Sequence, residues 1–200
     1  MTNEAQQPNL ESNTAKRKRE NRELGKKVRE AQGFEWYALG NWFRQKSDLV
    51  LFTDDGFTFG KIKKIGFFGL FFVLDGEKEG KEILKNNISA IMTDRHFDFQ
   101  KDDFEINKSL WKEARVAPPG AWKAPKVSKE LVEACMEEEC NLKLLLQNGV
   151  SLEGVPFKQS ETAIYVVIHK KKSSPIFIYK HAVLQAAKGE PFVRPKKNED

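Results

Sequence analysis

Few side chains in this sequence are placed for covalent chemistry. The two cysteines, Cys135 and Cys140, are five residues apart. On one helix that spacing separates them by about 140°, which predicts ordinary thiols that neither bridge nor share a metal. His96 and His169 have no ligand partners at metal spacing, and Asp102-Asp103 has no histidine or second carboxylate placed to work with it. Phosphate-loop, dinucleotide and serine-nucleophile patterns are absent from the sequence. The expectation is a binding protein and no enzyme, with no cofactor and no metal. Positive charge is the chemistry the sequence does offer. Between Lys16 and Arg29 lie eight cations, against five glutamates in residues 1–30. Lys170-Lys171-Lys172 forms a second basic run. The first run reads either as a solubilising tail or as an arm that contacts RNA phosphates, and the second as a solvated turn.

The elements that would carry these charges follow from hydrophobic patterning. The chain has 200 residues, a net charge of +5, and 40% hydrophobic against 32% charged residues, enough apolar material for a core beneath much solvated surface. Two cysteines exclude a disulfide scaffold. The polar start Met1 to Pro8 does not read as a secretory signal, and no apolar run approaches the roughly 20 residues that span a bilayer. These features predict a cytoplasmic protein without a membrane partner. Residues 1–30 hold almost no large apolar side chains and are expected to form a basic disordered arm. Trp36, Leu39 and Phe43 then recur at helical spacing. Leu49 to Phe52 reads as a buried strand and Asp55-Gly56 as a hairpin turn. Phe57 and Phe59 lie on the return strand, Ile65 to Leu74 on a long apolar strand bent at Gly66 and Gly69, and Ile83 to Met92 on a last strand region.

After a mixed linker (93–127), the pattern recurs. Ser128 caps a predicted helix to Cys140, Leu142 to Leu146 alternates, Asn148-Gly149 turns, and Val150 and Leu152 return. Ala163 to Ile168, Ile176 to Tyr179 and Val183 to Ala187 read as further strands. Gly56 and Gly149 are 93 residues apart, and Asn86 and His181 are 95 apart. A nearly constant offset over several elements marks an internal repeat. The predicted organisation is an arm (1–30), a first unit (31–92), a linker (93–127), a second unit (128–187) and a disordered tail (188–200). Each unit would be a helix followed by five short strands, mostly β overall.

Two stretches of the second unit resemble the bacterial Sm-like RNA chaperone Hfq: Leu145 to Gly154 and Ile178-Tyr179-Lys180-His181-Ala182-Val183. The first unit is similar more weakly, with Asp55-Gly56 at the hairpin and Leu84-Lys85-Asn86-Asn87-Ile88 in place of the tyrosine–lysine–histidine stretch. The resemblance implies two Sm-like small barrels of SH3-like type, each an N-terminal helix plus a five-stranded bent antiparallel sheet. It also implies fourth-to-fifth-strand pairing between units, so that a trimer of chains would close a six-unit ring; a monomer with its two edges paired internally is the alternative.

By the same resemblance, Tyr179, Lys180 and His181 would line a pore that takes single-stranded RNA, with Lys85 and Asn86 alternating between them. Lys180 would be a fixed charge, and His181 a hydrogen-bond donor able to charge near neutral pH. A structural role for His181 at a strand turn is the other reading. Asn148 and Gly149 would belong to the opposite, adenine-reading face, and Arg44 and Lys46 to a basic outer rim whose second-unit counterpart is Glu137-Glu138-Glu139. Departures from the family are Ala163 and Leu70 at its aromatic stacker, Glu153 and Gly60 at its return-strand glutamine, and Ser128 and Glu35 near its helix start. The function this implies is RNA binding by a post-transcriptional regulator or RNA chaperone acting on a small regulatory RNA or mRNA. The alternative is a scaffold of the same fold that has lost RNA and recruits proteins.

Overall fold

The computed structural model describes residues 19, 22–23, 33–100, 104–107, 109–110, 127–168 and 175–191. The basic arm (apart from these three positions), the loop 169–174, most of the linker's second half and residues 192–200 lie outside the described residues.

The first half opens with helix α1 (Gly33–Gln45), which buries Phe34, Glu35, Ala38 and Leu39. Phe43, expected on the inner face, is 42% exposed. The helix ends where Lys46 adopts φ 52°, with Ser47 N donating to Trp42 O, the left-handed stop that frees the chain to reverse. There follow β1 (Leu49–Thr53), β2 (Gly56–Ile65), β3 (Gly69–Leu74), β4 (Gly80–Leu84), a 3-10 turn (Lys85–Asn87) and β5 (Ile88–Thr93). The run from Ile65 to Leu74 is not one bent strand: Gly66 N bonds to Gly69 O, and the chain turns back over Phe67 and Phe68.

The linker contributes helix α2 (Asp94–Gln100) and the two-residue strand β6 (Glu105–Ile106), which pairs with the start of β8. The second half holds helix α3 (Lys129–Glu137), capped by Ser128, whose Oγ accepts from Leu131 N at 3.1 Å. Then come β7 (Cys140–Leu146), β8 (Val150–Gln159), β9 (Ala163–Val167), β10 (Pro175–Tyr179), a 3-10 turn (Lys180–Ala182) and β11 (Val183–Pro191). β11 runs on to Pro191, past Lys188, where the tail was expected to begin.

The repeat is visible in backbone detail. Lys46 and Glu139, both with left-handed φ, are 93 residues apart. β2 and β8 are 94 apart, and the two 3-10 turns 95. A Cβ on Gly60 would sit 2.0 Å from Val73 O, and one on Gly154 2.6 Å from Val167 O. Both members of both pairs are 94 residues apart, so each long strand approaches its neighbour closely at the same place.

The expectation of two small Sm-like barrels, each with its own N-terminal helix, is overturned. All the strands among the described residues belong to one open, antiparallel, eleven-stranded sheet in the order β11-β7-β8-β9-β10-β5-β1-β2-β3-β4, with β6 beside β8. β10 pairs with β5 through Phe177↔Ile91 and Ile178↔Ala90. One edge of each half is therefore satisfied by the other, and the sheet runs on through the joint without closing. The cores are shared in the same way. Ala163, Phe177 and Tyr179 pack with Phe34, Leu39, Leu49 and Phe72 of the first half. Val50, Phe52, Ala90 and Met92 join the second-half core, with Phe97 and Phe104 from the linker packed in.

Cys140 opens β7 and is not on the helix. The turn after α3 brings its side chain into hydrogen-bonding contact with the buried Cys135, whose thiol is pushed up to about 12, first by burial.

Candidate nucleic-acid interface

Glu35 is a carboxylate in an otherwise apolar stretch of α1, and it is fully buried. Its partners come from three elements. Lys85 Nζ lies 2.6 Å from Glu35 Oε1, with both side chains 0% exposed. Tyr179 donates its hydroxyl to the same oxygen at 3.1 Å, and Thr162 Oγ1 donates to Oε2 at 3.2 Å. The Trp36 ring centroid is 5.4 Å from the Lys85 ammonium. A cation and two hydroxyls stand where water would otherwise solvate this carboxylate. Burial, and then Glu35, raise the Tyr179 phenol well above its ordinary value.

This network disposes of the expected pore residues. Lys85 and Tyr179 are fully buried, and Lys180 and His181 are 4% and 5% exposed. Lys180 Nζ donates to Gln159 Oε1 at 2.8 Å, and burial lowers its pKa. The His181 ring packs 5.2 Å from the Tyr179 ring and is hydrogen-bonded by the backbone of Asn86 and Ile88. Burial pulls it down to about 4, so the imidazole is neutral at neutral pH instead of poised to charge. Asn86 is half-buried in the same turn. As placed, this corner holds the two halves together and presents no face to a strand of RNA. Asn148 and Gly149 are buried as well: Asn148 Oδ1 accepts from Val150 N at 3.3 Å and shapes the hairpin turn.

The buried imidazole predicts a pH effect. The unfolded chain protonates His181 near 6.5, whereas the folded one does so near 4. Stability from this residue is thus full above about pH 6.5 and is lost as pH falls toward 4, by about 3 kcal/mol. His181→Asn, which installs the first half's residue, should flatten that slope in urea melts taken across the interval. A variant whose loss on acidification equals that of the parent would contradict it.

The rim residues fare differently. Arg44 and Lys46, at the end of α1, meet Lys61 and Lys63 of β2 across a groove of about 650 Å³. Phe43, Ile62, Val73 and Leu74 give it an apolar floor, and Asp75 and Glu77 are its acids. Lys61 Nζ also lies 3.0 Å from Asp48 Oδ1. Tyr37, 68% exposed, lies one turn before Asn41 and two before Arg44 on one helix face, and Arg44 donates to Asn41 Oδ1. The chain matches no family model, no curated protein and no solved structure. The groove is therefore judged on its chemistry: cations spaced along a channel beside exposed rings, the pairing that single-stranded nucleic acid uses for phosphates and bases. In the second half, Glu137 and Glu139 stand at the positions of Arg44 and Lys46, and Glu138 pairs with Lys188. Among the described residues, the second half therefore does not repeat these two cations.

Sequence reasoning named Arg44 and Lys46 but missed Lys61, Lys63 and Phe43 as their companions. The alternation Lys61-Ile62-Lys63, with only the isoleucine buried, was the available signal. Among the described residues no group of three or more His, Cys, Asp or Glu side chains could hold a metal ion. No described helix is long and apolar enough to cross a membrane.

Proposed function

We propose that this protein binds single-stranded RNA along the basic, aromatic rim of its first half, as a post-transcriptional regulator or RNA chaperone. The observation that carries the reading is the gathering of Arg44, Lys46, Lys61 and Lys63 around the exposed Phe43 in one groove. Phosphates would track the cations, and bases would stack on Phe43 and Tyr37. Two things favour RNA in particular. One is the resemblance of Leu145 to Gly154 and of Ile178 to Val183 to the RNA chaperone Hfq. The other is the arm that precedes α1, with its eight cations against five glutamates. No covalent step is involved.

The test is titration of uridine-rich and adenine-rich RNA oligomers over a salt series. The parent should bind with a falling log–log slope, about −0.7 per phosphate contacted. The pair Arg44→Ala and Lys46→Ala should make that slope shallower by about 1.4. Lys180→Ala, a buried site, should change stability and leave the slope alone. If Lys180→Ala abolishes binding and the rim pair does not, the rim reading is wrong.

A second reading, a scaffold for other proteins without RNA, is supported by the burial of Lys180 and His181. Absence of binding at low salt would leave that reading standing.

A further inference from the structure

Each long strand carries a bulge at the same place. On β2, Ile62 pairs with Phe72 and Lys64 with Phe71, so Lys63 is an extra residue. On β8, Pro156 pairs with Val166 and Lys158 with Tyr165, so Phe157 is the extra residue. The two bulged positions are 94 residues apart. A bulge re-aims the side chain it inserts, and bulges gather beside functional sites. In the first half the re-aimed side chain is a lysine of the rim groove. In the second it is a ring, 47% exposed, that belongs to neither hydrophobic core.

We infer that Phe157, with Tyr165 and Lys158, is a second base-stacking site for the same RNA strand, reached from the rim groove along the exposed face of α1. The inference rests on the rim reading above and extends it across the joint between the halves. The Phe157 ring stacks on Tyr165 with centroids 5.3 Å apart and planes at 23°. Tyr165 in turn lies 4.9 Å from Phe34, at the start of α1. The exposed Lys158 holds its ammonium 5.5 Å from the Phe34 centroid. Two strands of the second half and the helix of the first thus build one cluster of rings with a cation on it.

Phe34 also begins the path back to the rim. Tyr37, Asn41 and Arg44 follow it at steps of three and four residues, which places them on one helix face. From Phe34 to Arg44 is about 15 Å of helix, short enough for one strand to touch both ends. Because Tyr165 already fixes the plane of Phe157, a base stacking on that ring orders little else. Lys158 supplies the charge for the adjoining phosphate. Glu137 and Glu139 hold the places of Arg44 and Lys46 in this half and repel phosphate. The strand therefore arrives from the α1 side, where Lys158 lies, and goes no further than Phe157.

The test titrates the full chain with uridine-rich RNA of about 4 and about 16 nucleotides, each carrying a fluorescent adenine analogue at one end or the other. The short RNA reads the rim, and the long one spans the rim and Phe157. Phe157→Ala should weaken the long RNA about tenfold, bind the short one as the parent does, and lose the quenching that stacking gives the terminal analogue. Phe157→Trp keeps a ring and should match the parent, which separates loss of stacking from loss of fold. Lys158→Ala should make the long RNA's salt slope shallower by about 0.7. Parent binding that Phe157→Ala leaves unchanged at both lengths overturns this site and leaves the rim standing. So does a loss that Phe157→Trp shares. A Phe157→Ala that changes the mass by light scattering with RNA affinity intact overturns it too, and gives the ring to a contact between proteins. A parent that binds neither RNA at low salt overturns the rim and this site together.

Discussion

Glu35→Ala should cost the protein roughly 3–5 kcal/mol, more than loss of any exposed ion pair. The carboxylate is 0% exposed and holds Lys85, Tyr179 and Thr162 at once. Truncation leaves the Lys85 ammonium in a dry site, with only the Trp36 ring to face, and strips the acceptor from a buried phenol. These partners come from α1, the first 3-10 turn, the turn before β9 and the end of β10. The loss would therefore fall on the joint between the halves as well as on the helix. Urea melts measure it directly. Tyr179→Phe removes one donor and should cost about 1 kcal/mol. The double variant Glu35→Leu with Lys85→Met should recover most of the loss, because no lone charge remains. Exposed Lys129–Glu133 serves as the control, where Glu133→Ala should stay within about 0.5 kcal/mol. A Glu35→Ala loss below about 1 kcal/mol would show that water reaches the site.

The second large effect is expected at a position with no side chain. An alanine methyl at Gly60 would lie 2.0 Å from Val73 O and 2.8 Å from Phe72 Cε1. The first atom is backbone in the adjacent strand and cannot turn away, so β2 and β3 must part there. Gly60→Ala should therefore cost about 3 kcal/mol or more. Gly154→Ala meets Val167 O at 2.6 Å and should cost somewhat less. Two other glycines calibrate the series. Gly76 has φ +84° and nothing within 4 Å, so its alanine should lose only about 1 kcal/mol, from backbone strain. Gly40 is helical with open space around it, and its alanine should gain about 0.5–1 kcal/mol. Melting the four variants side by side gives the order. A Gly60→Ala no worse than Gly76→Ala would mean that the strands do not approach as described.

The elements that were legible in the sequence are those set by neighbours in the chain. Both hairpins fall where expected, but the turning residues are Asp54-Asp55 and Gln147-Asn148, and only the glycines that follow, Gly56 and Gly149, take positive φ. Ser128 caps α3 because a side-chain oxygen three residues before an amide reaches it in any context. The constant offset between halves also survived, down to the paired left-handed residues Lys46 and Glu139. The errors concern which way a face points. Helical periodicity put Phe43 inward with Trp36 and Leu39, yet Phe34, Ala38 and Leu39 share the buried side while Phe43 opens onto the rim groove. Tyr179-Lys180-His181, read by resemblance as a pore lining, was judged by residue type, which carries no information about burial. One overlooked signal was Glu35 itself: a carboxylate between Phe34 and Trp36 at a buried helix position needs a cation from elsewhere.

From its residues alone, then, this chain determines a duplicated helix-and-strands unit, its hairpins and the Ser128 cap. Those features rest on interactions spanning a few residues. Only the tertiary structure decided that β10 would lie on β5 in one continuous sheet. It also decided that Glu35 would meet Lys85 and Tyr179, 50 and 144 residues away, and that Lys61 and Lys63 would complete the groove. Such pairings depend on the burial each strand edge and charge finds once the chain has collapsed. Many partners share the residue type required, and packing leaves room for one.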